Sequence, residues 1–295
     1  MAQLLQKVKS KMFIFAHRKA RGMLNGEYDA IFRGRSLDFD DLRGYVPGDE
    51  IRDIDWKATA RHGSPLVKRY VAIRKQTVLL VADTGRNMAA VASGGETKKD
   101  IMVMALGVIG YLAIKHGDTV GLVYGDAEQT AMLPARGTEA HLEALLQRVD
   151  STTSLSSGRS ELTAQLSFIA KNVRQRRLIF VVADEHPVTA EQERLLRRLR
   201  AQHEVLWLVV SDADLSGADA LRRDSFDVER LDPVVSILTK DPRLAAEYTA
   251  AVGQRRAQIV EAMARQGIPL EWLGHSSEVM TTLFSLLERQ RRAGR

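Results

Sequence analysis

The chain has 295 residues, of which 45% are hydrophobic and 27% are charged, and its net charge is +6. This composition suits one large domain or two modest ones and excludes a disordered protein. Because the chain contains no cysteine, disulfides, thiolate metal sites and cysteine nucleophiles are excluded as well. No stretch reaches the ~18 apolar residues of a membrane span, and no signal-peptide core follows Lys7 and Lys9, so we expect a cytoplasmic protein.

Residues 1–26 are predicted to form a basic amphipathic helix. Leu4, Val8, Met12 and Phe15 recur at spacings of three and four, which places them on one face of the helix. The simplest interpretation is that this face packs on the rest of the chain. The alternative is that the helix lies on an anionic membrane surface, because lysines and arginines cover much of its remaining surface.

Residues 27–76 differ in composition from everything that follows. They are rich in Arg, Asp and Gly, and they contain short β-prone stretches such as Leu66–Val71. Turn-forming pairs such as Pro47–Gly48 separate these stretches. We therefore predict a small β-rich subdomain in this region.

Residues 77–295 alternate between apolar strands and helices. The predicted strands are Thr77–Ala82, Val120–Tyr124, Leu178–Ala183 and Val205–Val210, and the predicted helices are 98–116, 138–149, 160–174, 189–201 and 242–266, with a last helix beginning near Ser276. Continuous apolar runs of strand length are typical of strands buried on both faces. The repeated β-α-β order therefore predicts an α/β fold, a parallel sheet with helices on both faces.

Four acids stand at or just after the ends of predicted strands: Asp83, Asp126, Asp184 and Asp212. Open parallel sheets bind ligands beyond the carboxyl ends of their strands. An Asp in such a loop more often caps the next helix or turn, so each acid by itself has a structural explanation. Asp83 and Asp184 stand out because a further motif accompanies them.

The stretch from Asp83 to Asn87 resembles the D-x-S-x-S loop of von Willebrand factor A domains. Ser160 stands where those domains have a threonine, and Asp184 stands where they have their third-loop acid. The resemblance implies a metal-ion-dependent adhesion site, which holds Mg²⁺ while a partner protein supplies a further carboxylate. It also implies the metal ligands, which are Asp83, Asn87, Ser160 and Asp184.

Three departures from that pattern weaken the expected metal site. Gly85 has no side-chain donor, Asn87 offers a neutral amide, and Arg86 brings a positive charge. Mg²⁺ needs oxygen ligands in near-ideal geometry, so we expect a degenerate site that binds it no tighter than about millimolar, roughly −4 kcal/mol. The alternative is a site without any metal, in which Arg86 turns inward and neutralises Asp83 and Asp184.

A second motif runs from Gly34 to Arg61 and reads G-x-S-x-x-F-x-x-x-R-x-Y-x-P-G-D-x-x-R-x-I-D-W-x-A-x-A-R. It resembles the signature of the domain of unknown function 58 family. The residues of this signature block are Arg43, Tyr45, Pro47, Gly48, Asp49, Arg52, Asp55, Trp56 and Arg61. We interpret the block as a salt-bridged hairpin docked on the α/β domain, with Trp56 as its apolar anchor.

The resemblance to that family implies a von Willebrand factor A-like domain whose partner is a MoxR-type AAA+ ATPase. We expect a non-enzymatic module that adapts an unknown client protein to this ATPase. The ATPase would supply the nucleotide energy, because the chain has no G-x-x-x-x-G-K-[ST] loop. We expect no nucleic-acid partner, because the basic stretch around Arg194 and Arg198 contains no interleaved aromatic residues.

Two other functions remain open at this point. One is a metal-dependent hydrolase that uses Asp83 and Asp184 together with Asp49, Asp53 and Asp55, since paired carboxylates with separated pKa values perform acid–base chemistry. The other is a peripheral membrane protein held by the N-terminal helix.

Overall fold

A computed structural model of the protein describes residues 3–15, 41–49, 51, 54–69, 75–213, 225–230, 232–234 and 242–293. The helices are α1 (Leu4–Phe15), α2 (Trp56–His62), α3 (Lys98–Lys115), α4 (Glu139–Thr152), α5 (Thr163–Asn172), α6 (Ala190–Gln202), α7 (Pro242–Arg265) and α8 (Val279–Ala293). The strands are β1 (Asp41–Gly44), β2 (Leu66–Arg69), β3 (Thr77–Asp83), β4 (Thr119–Gly125), β5 (Thr130–Arg136), β6 (Leu178–Asp184), β7 (Glu204–Val210), β8 (Ser225–Asp227), β9 (Asp232–Val234) and β10 (Leu270–Leu273). Among the helices of these ranges, none combines the length and the apolar character that crossing a membrane requires.

The centre of the molecule is a six-stranded sheet in the order β10-β7-β6-β3-β4-β5. Neighbouring strands are parallel, except that β5 pairs antiparallel with β4. β3, β6 and β7 are buried along nearly their whole length, as their continuous apolar sequences predict. The predicted α/β architecture, a mostly parallel sheet with helices on both faces, is confirmed.

Alternate strand residues build two separate cores. Leu80 and Phe180 face a layer formed by α1, α3, α4 and α8. Leu79 and Val181 face a second layer formed by α5, α6 and α7. This division follows from the strand geometry, because successive side chains point to opposite faces of a sheet.

Strands β5 and β10 were not predicted, and both lie at the edges of the sheet. None of the residues of β5 is fully buried, and Pro134 interrupts its pattern, as is tolerated at an edge. β10 has only four residues. Helix α5 begins at Thr163 rather than at Ser160, because the residues before it form a loop that packs beside β3.

Helix α1 packs against α3 and α4, with Leu5 and Val8 buried. The close approach uses Gly107 of α3, since a Cβ at that position would lie 2.6 Å from a Val8 methyl carbon. Glu143 of α4 accepts the first two backbone N–H groups of α1 at 3.0 and 2.6 Å, which satisfies free donors at a helix start. The described part of the N-terminal helix thus packs on the protein's own core, and residues 16–26 lie outside the described ranges.

The described part of the predicted β-rich subdomain is an antiparallel β1–β2 pair, and α2 lies in the chain segment that connects the two strands. Asp55 caps α2 by accepting two backbone N–H groups of its first turn, at 3.1 and 3.0 Å. The end of the signature block therefore starts a helix rather than a hairpin strand, because Asp is a strong N-cap. Residues 27–40 and 70–74 lie outside the described ranges, so the boundaries 27–76 stay a prediction.

Trp56 is not an apolar anchor, and that expectation is wrong. Its side chain is 64% exposed at the first position of α2, a helix without any buried residue. Among the described residues of this unit, the buried apolar side chains are Leu66 and Val67 of β2. The cap at Asp55 sets the direction in which the helix starts, and Trp56 then faces solvent.

Candidate functional site

Asp83 and Asp184 lie at the carboxyl ends of β3 and β6, which are neighbouring parallel strands. Asn87 lies on a short 3-10 helix, Arg86–Ala89, and its Nδ2 donates to Asp184 Oδ2 at 2.8 Å. Ser160 lies in the loop before α5, directly against the loop that follows β3. All four side chains are buried. The structure therefore brings the four predicted residues together at the carboxyl edge of the sheet.

The loop after β3 packs too closely for a side chain at Gly85. A Cβ on Gly85 would lie 2.4 Å from the Cα of Ser160. The backbone N–H of Arg86 also donates to the carbonyl of Gly158 at 2.9 Å, and the Gly158 N–H donates to Asp126 at 3.0 Å. The missing hydroxyl of the D-x-S-x-S pattern is thus a steric consequence of this loop contact, in which Asp126 has a structural role.

Lys98 supplies a cation to the site that our sequence analysis missed. It is the first residue of α3 and only 1% exposed, and its Nζ donates to the carboxylates of Asp184 and Asp212. Asp212 follows β7, so a third strand end joins the cluster. A signal for this role was present, because a lysine at a helix N-terminus opposes the helix dipole and therefore indicates an acidic partner.

The Lys98 contacts keep Asp184 ionised. Burial alone would raise the pKa of Asp184, but the charge and hydrogen bond of Lys98, together with His186 and the Glu185 N–H, outweigh burial and hold that pKa below its ordinary value. The two carboxylates likewise raise the pKa of Lys98, although burial alone would lower it. Burial and the charge of Asp184 raise the pKa of Asp212. The cluster is therefore an ion pair between Lys98 and Asp184 with a second acid attached.

Asp83 has a different environment. Burial raises its pKa from the ordinary 3.8 to about 7, and the charge of Asp184 adds to the rise, whereas the Gly85 N–H opposes it. That N–H donates to Asp83 Oδ1 at 2.8 Å. Among the described residues, no Lys or Arg forms an ion pair with Asp83.

The residues present do not fit Mg²⁺. Asn87 presents its N–H donor, rather than its oxygen, to Asp184, and the Lys98 ammonium contacts the other oxygen of that carboxylate. The metal-free alternative expected Arg86 to turn inward and neutralise Asp83 and Asp184. That expectation is wrong, because Arg86 Nε donates to the backbone carbonyl of Ser157 at 3.1 Å. Within the described part of the chain, no cluster of His, Asp and Glu suits a metal ion.

A cavity of about 300 Å³ opens beside this cluster, lined at one end by Asp83, Ser160, Glu161, Asp184 and His186. The Ser160 hydroxyl is buried without a hydrogen-bond partner. The walls of the cavity are mostly apolar and include Leu162, Val188, Trp207, Val209, Ile259 and Met263. The cavity thus has acidic groups at one end and mostly apolar walls elsewhere.

Asp49, an acid of the signature block, forms its contacts within the block itself. Arg43 pairs with Asp49 at 2.5 Å, and this contact holds the pKa of Asp49 below its ordinary value. The second oxygen of Asp49 accepts the Val46 N–H at 3.0 Å, and Gly48 adopts a positive φ of 109° in the same turn. Of the remaining block residues, Tyr45, Pro47 and Arg61 are exposed, and Arg52 lies outside the described ranges.

A comparison with known protein families matches the part of the chain that contains the signature block and the strand-end cluster. The family model described as "Protein of unknown function DUF58" matches residues 41–258. An uncharacterised protein of Mycobacterium tuberculosis is 26% identical over 280 residues, which are 93% of this chain and 86% of that protein. The family match runs from the signature block through the whole strand-end cluster.

Solved structures with some similarity include two from other bacteria. An aerotolerance-related membrane protein from Bacteroides fragilis is 14% identical with a TM-score of 0.43, covering 72% of this chain and 99% of that chain. A von Willebrand factor type A structure from Catenulispora acidiphila is 8% identical with a TM-score of 0.39, covering 77% of this chain and 44% of that chain.

Proposed function

This chain belongs to the family of proteins of unknown function DUF58, and from that premise we propose that it is a non-enzymatic protein-interaction module. It serves as partner or substrate adaptor of a MoxR-type AAA+ ATPase in the assembly or remodelling of a client protein. The family description names no activity, so the interaction role draws on the described residues. The ATPase as partner draws on the resemblance that the signature block carries.

The observation that carries the interaction role is the exposed apolar surface of the signature block. Val46, Ile51 and Trp56 are 55%, 68% and 64% exposed within this one short stretch. Single exposed apolar side chains are common on protein surfaces, but several of them grouped together mark sites of protein contact. Tryptophan in particular contributes strongly to interfaces when a partner buries it.

The strand-end cluster supports an interaction that needs no divalent metal. A metal bridging Asp184 to a partner's carboxylate would have to displace the buried ammonium of Lys98. It would also have to reverse the Asn87 amide, which now donates to the same carboxylate. Binding of the ATPase is therefore expected to persist when EDTA removes divalent ions.

A hydrolase has less support, because its acids are engaged in structural contacts. Asp49 is paired with Arg43, Asp55 caps α2, and Asp184 is paired with Lys98. Carboxylates held ionised in this way are not poised as an acid–base pair. Asp83, the fourth acid, has a pKa raised to about 7, but the neighbouring carboxylate of Asp184 is held by Lys98 and Asn87 and is not free to act with it. Asp53, the fifth acid of that group, lies outside the described ranges.

Membrane attachment through the N-terminal helix also has less support. The apolar face that a membrane would bind includes Leu5 and Val8, and both are buried against α3 and α4. Exposing them to lipid would require α1 to leave the core.

The test is binding of the purified chain to the MoxR-type ATPase of the same organism, measured by biolayer interferometry with a non-hydrolysable ATP analogue. We expect saturable binding that EDTA does not change and that Trp56→Ala weakens at least about tenfold, as for an interface tryptophan. Phe226→Ala is the matched control, because Phe226 is an aromatic residue of similar exposure, 55%, outside the block. Absence of binding, or equal weakening by both variants, would contradict the proposal.

A further inference from the structure

The cavity beside Asp83, which we call the slot, is large enough to hold one side chain. Its volume of about 300 Å³ is at the lower limit of ligand sites, which span roughly 300–1,000 Å³. Its walls come from a strand, a helix and a loop, with Trp207 and Val209 on β7, Ile259 and Met263 on α7, and Val188 on the loop after β6. Such walls suit an aliphatic chain.

Carboxyl groups outnumber basic groups at the Asp83 end of the slot. Lys98 brings one ammonium for the two carboxylates of Asp184 and Asp212. Asp83 adds a further acid without a Lys or Arg partner among the described residues, and Glu161 lines the same end. The imidazole of His186 is the other basic group there, with its Nδ1 3.6 Å from Asp184 Oδ2. An anionic ligand would meet these carboxylates, whereas a cationic group would complete their pairing.

A hydroxyl at the same end also lacks a partner. The Oγ of Ser160 is buried and forms no hydrogen bond of good geometry, although it lies close enough to Asp83 to lower the pKa of that carboxyl, and Ser160 is 8% exposed overall. A buried hydroxyl without a partner is costly, and it would accept an N–H from a ligand that entered the slot. The acidic and the hydroxyl groups thus favour the same kind of ligand, a donor with positive charge.

We propose that this slot binds a lysine side chain of a partner protein directly, with the aliphatic stem against the apolar walls and the ammonium at Asp83 and Ser160. Lysine combines a flexible apolar stem with a compact charge that carries three donors. In a metal-ion-dependent adhesion site the partner protein supplies a carboxylate that binds the metal. In this protein the partner supplies a lysine ammonium instead, and no metal takes part. This inference rests on the proposed function, since it names the chemistry by which the interaction module holds a partner.

The experiment titrates the full-length protein with three small probes and follows the methyl NMR signals of Val188 and Ile259. The probes are the N-acetyl, N-methylamide derivatives of lysine, norleucine and glutamate, which differ at the end of the side chain. We expect lysine to bind at least about tenfold more tightly than norleucine, as a charged hydrogen bond implies, and glutamate not to bind. Equal binding of lysine and norleucine would overturn the proposal.

Two variants locate the binding. Asp83→Asn should abolish the preference for lysine, whereas Asp150→Asn, an acid on α4 that pairs with Lys99, should leave it unchanged. Val188→Trp fills the slot without altering its charges and should abolish binding of the lysine probe, which keeps the test decisive if Asp83→Asn is unstable. A lysine preference that survives in folded Asp83→Asn and Val188→Trp would show that the probe binds elsewhere and refute the proposal.

The same variants separate this inference from the proposed function. If the ATPase binds and the lysine probe does not, the slot proposal fails and the interaction module stands. If the lysine probe binds in the slot and the ATPase does not bind, the ATPase partnership fails and the slot proposal stands.

Discussion

The buried ammonium of Lys98 leads to a quantitative test of the site. Lys98→Met keeps most of the side-chain length and apolar surface and removes the charge with its donors. Lys98 is 1% exposed, and the Asp184 carboxylate that it contacts belongs to a residue that is 5% exposed. The variant leaves a buried carboxylate without its counter-charge, which costs about 3–5 kcal/mol. We expect the free energy of unfolding to fall by that amount.

Urea denaturation at pH 7, followed by circular dichroism, measures this loss, and urea avoids the screening of charges by an ionic denaturant. The control is Lys99→Met at the next residue, where the lysine pairs with Asp150 at 3.2 Å between partly exposed side chains. Such a pair is worth only about 0–1 kcal/mol. The double variant Lys98→Met/Asp184→Asn removes both charges of the pair and should lose less stability than the sum of the single variants.

Two results would refute this account of the cluster. One is a loss in Lys98→Met no larger than that in the control. The other is stabilisation of the unmodified protein by micromolar Mg²⁺, because a metal bound that tightly would need Asp184 for itself and would leave no place for the ammonium.

Three further predictions concern neighbouring features. Since the pKa of Asp83 is about 7 in the folded protein against an ordinary 3.8, the folded state retains a proton that the unfolded chain releases between these two values. Stability therefore falls by up to about 4 kcal/mol as pH rises from about 4 to about 7, and it levels off above that. Asp83→Asn should reduce this slope in urea titrations between about pH 4 and 7, and an unchanged slope would disprove the assignment. Gly85→Ser should lower the unfolding free energy by about 1–3 kcal/mol through overpacking, because its Cβ would lie 2.4 Å from the Ser160 backbone, and a neutral result would show that the loops can separate. Leu5→Ala should lower the free energy of unfolding by about 2–5 kcal/mol. Ile14→Ala, at a side chain that is 60% exposed, should lower it by less than about 0.5 kcal/mol. Equal melting temperatures for these two variants would show that α1 does not stabilise the core.

Local signals in the sequence were sufficient for the main elements of the fold. The apolar runs of β3 and β6 predicted strands buried on both faces, because a central strand of a covered sheet has no solvent face. The caps at Thr97 and Thr189 lie within three residues of the backbone groups they bond, Asp100 and Gln192, so their pattern is complete in a short window. Such features depend little on the rest of the chain.

The meeting of Asp83 with Asp184 was also predictable, for a topological reason. Once the strands are parallel neighbours, their carboxyl ends lie at one edge of the sheet. The sequence did not show which cation pairs with the acids at that edge. The cation came from Lys98, which is 86 residues away from Asp184, and no local pattern selects that pairing.

The tertiary structure alone decided three other points. It left Trp56 64% exposed, because none of the described segments covers that side of α2. It made Gly85 necessary, because the Ser160 loop packs where a Cβ would stand. It buried the apolar face of α1, because Gly107 allows Val8 to approach α3 closely. In each case the outcome depends on which distant segment occupies the neighbouring space. Composition and periodicity determine that a residue is apolar, charged or small, and packing determines what it touches.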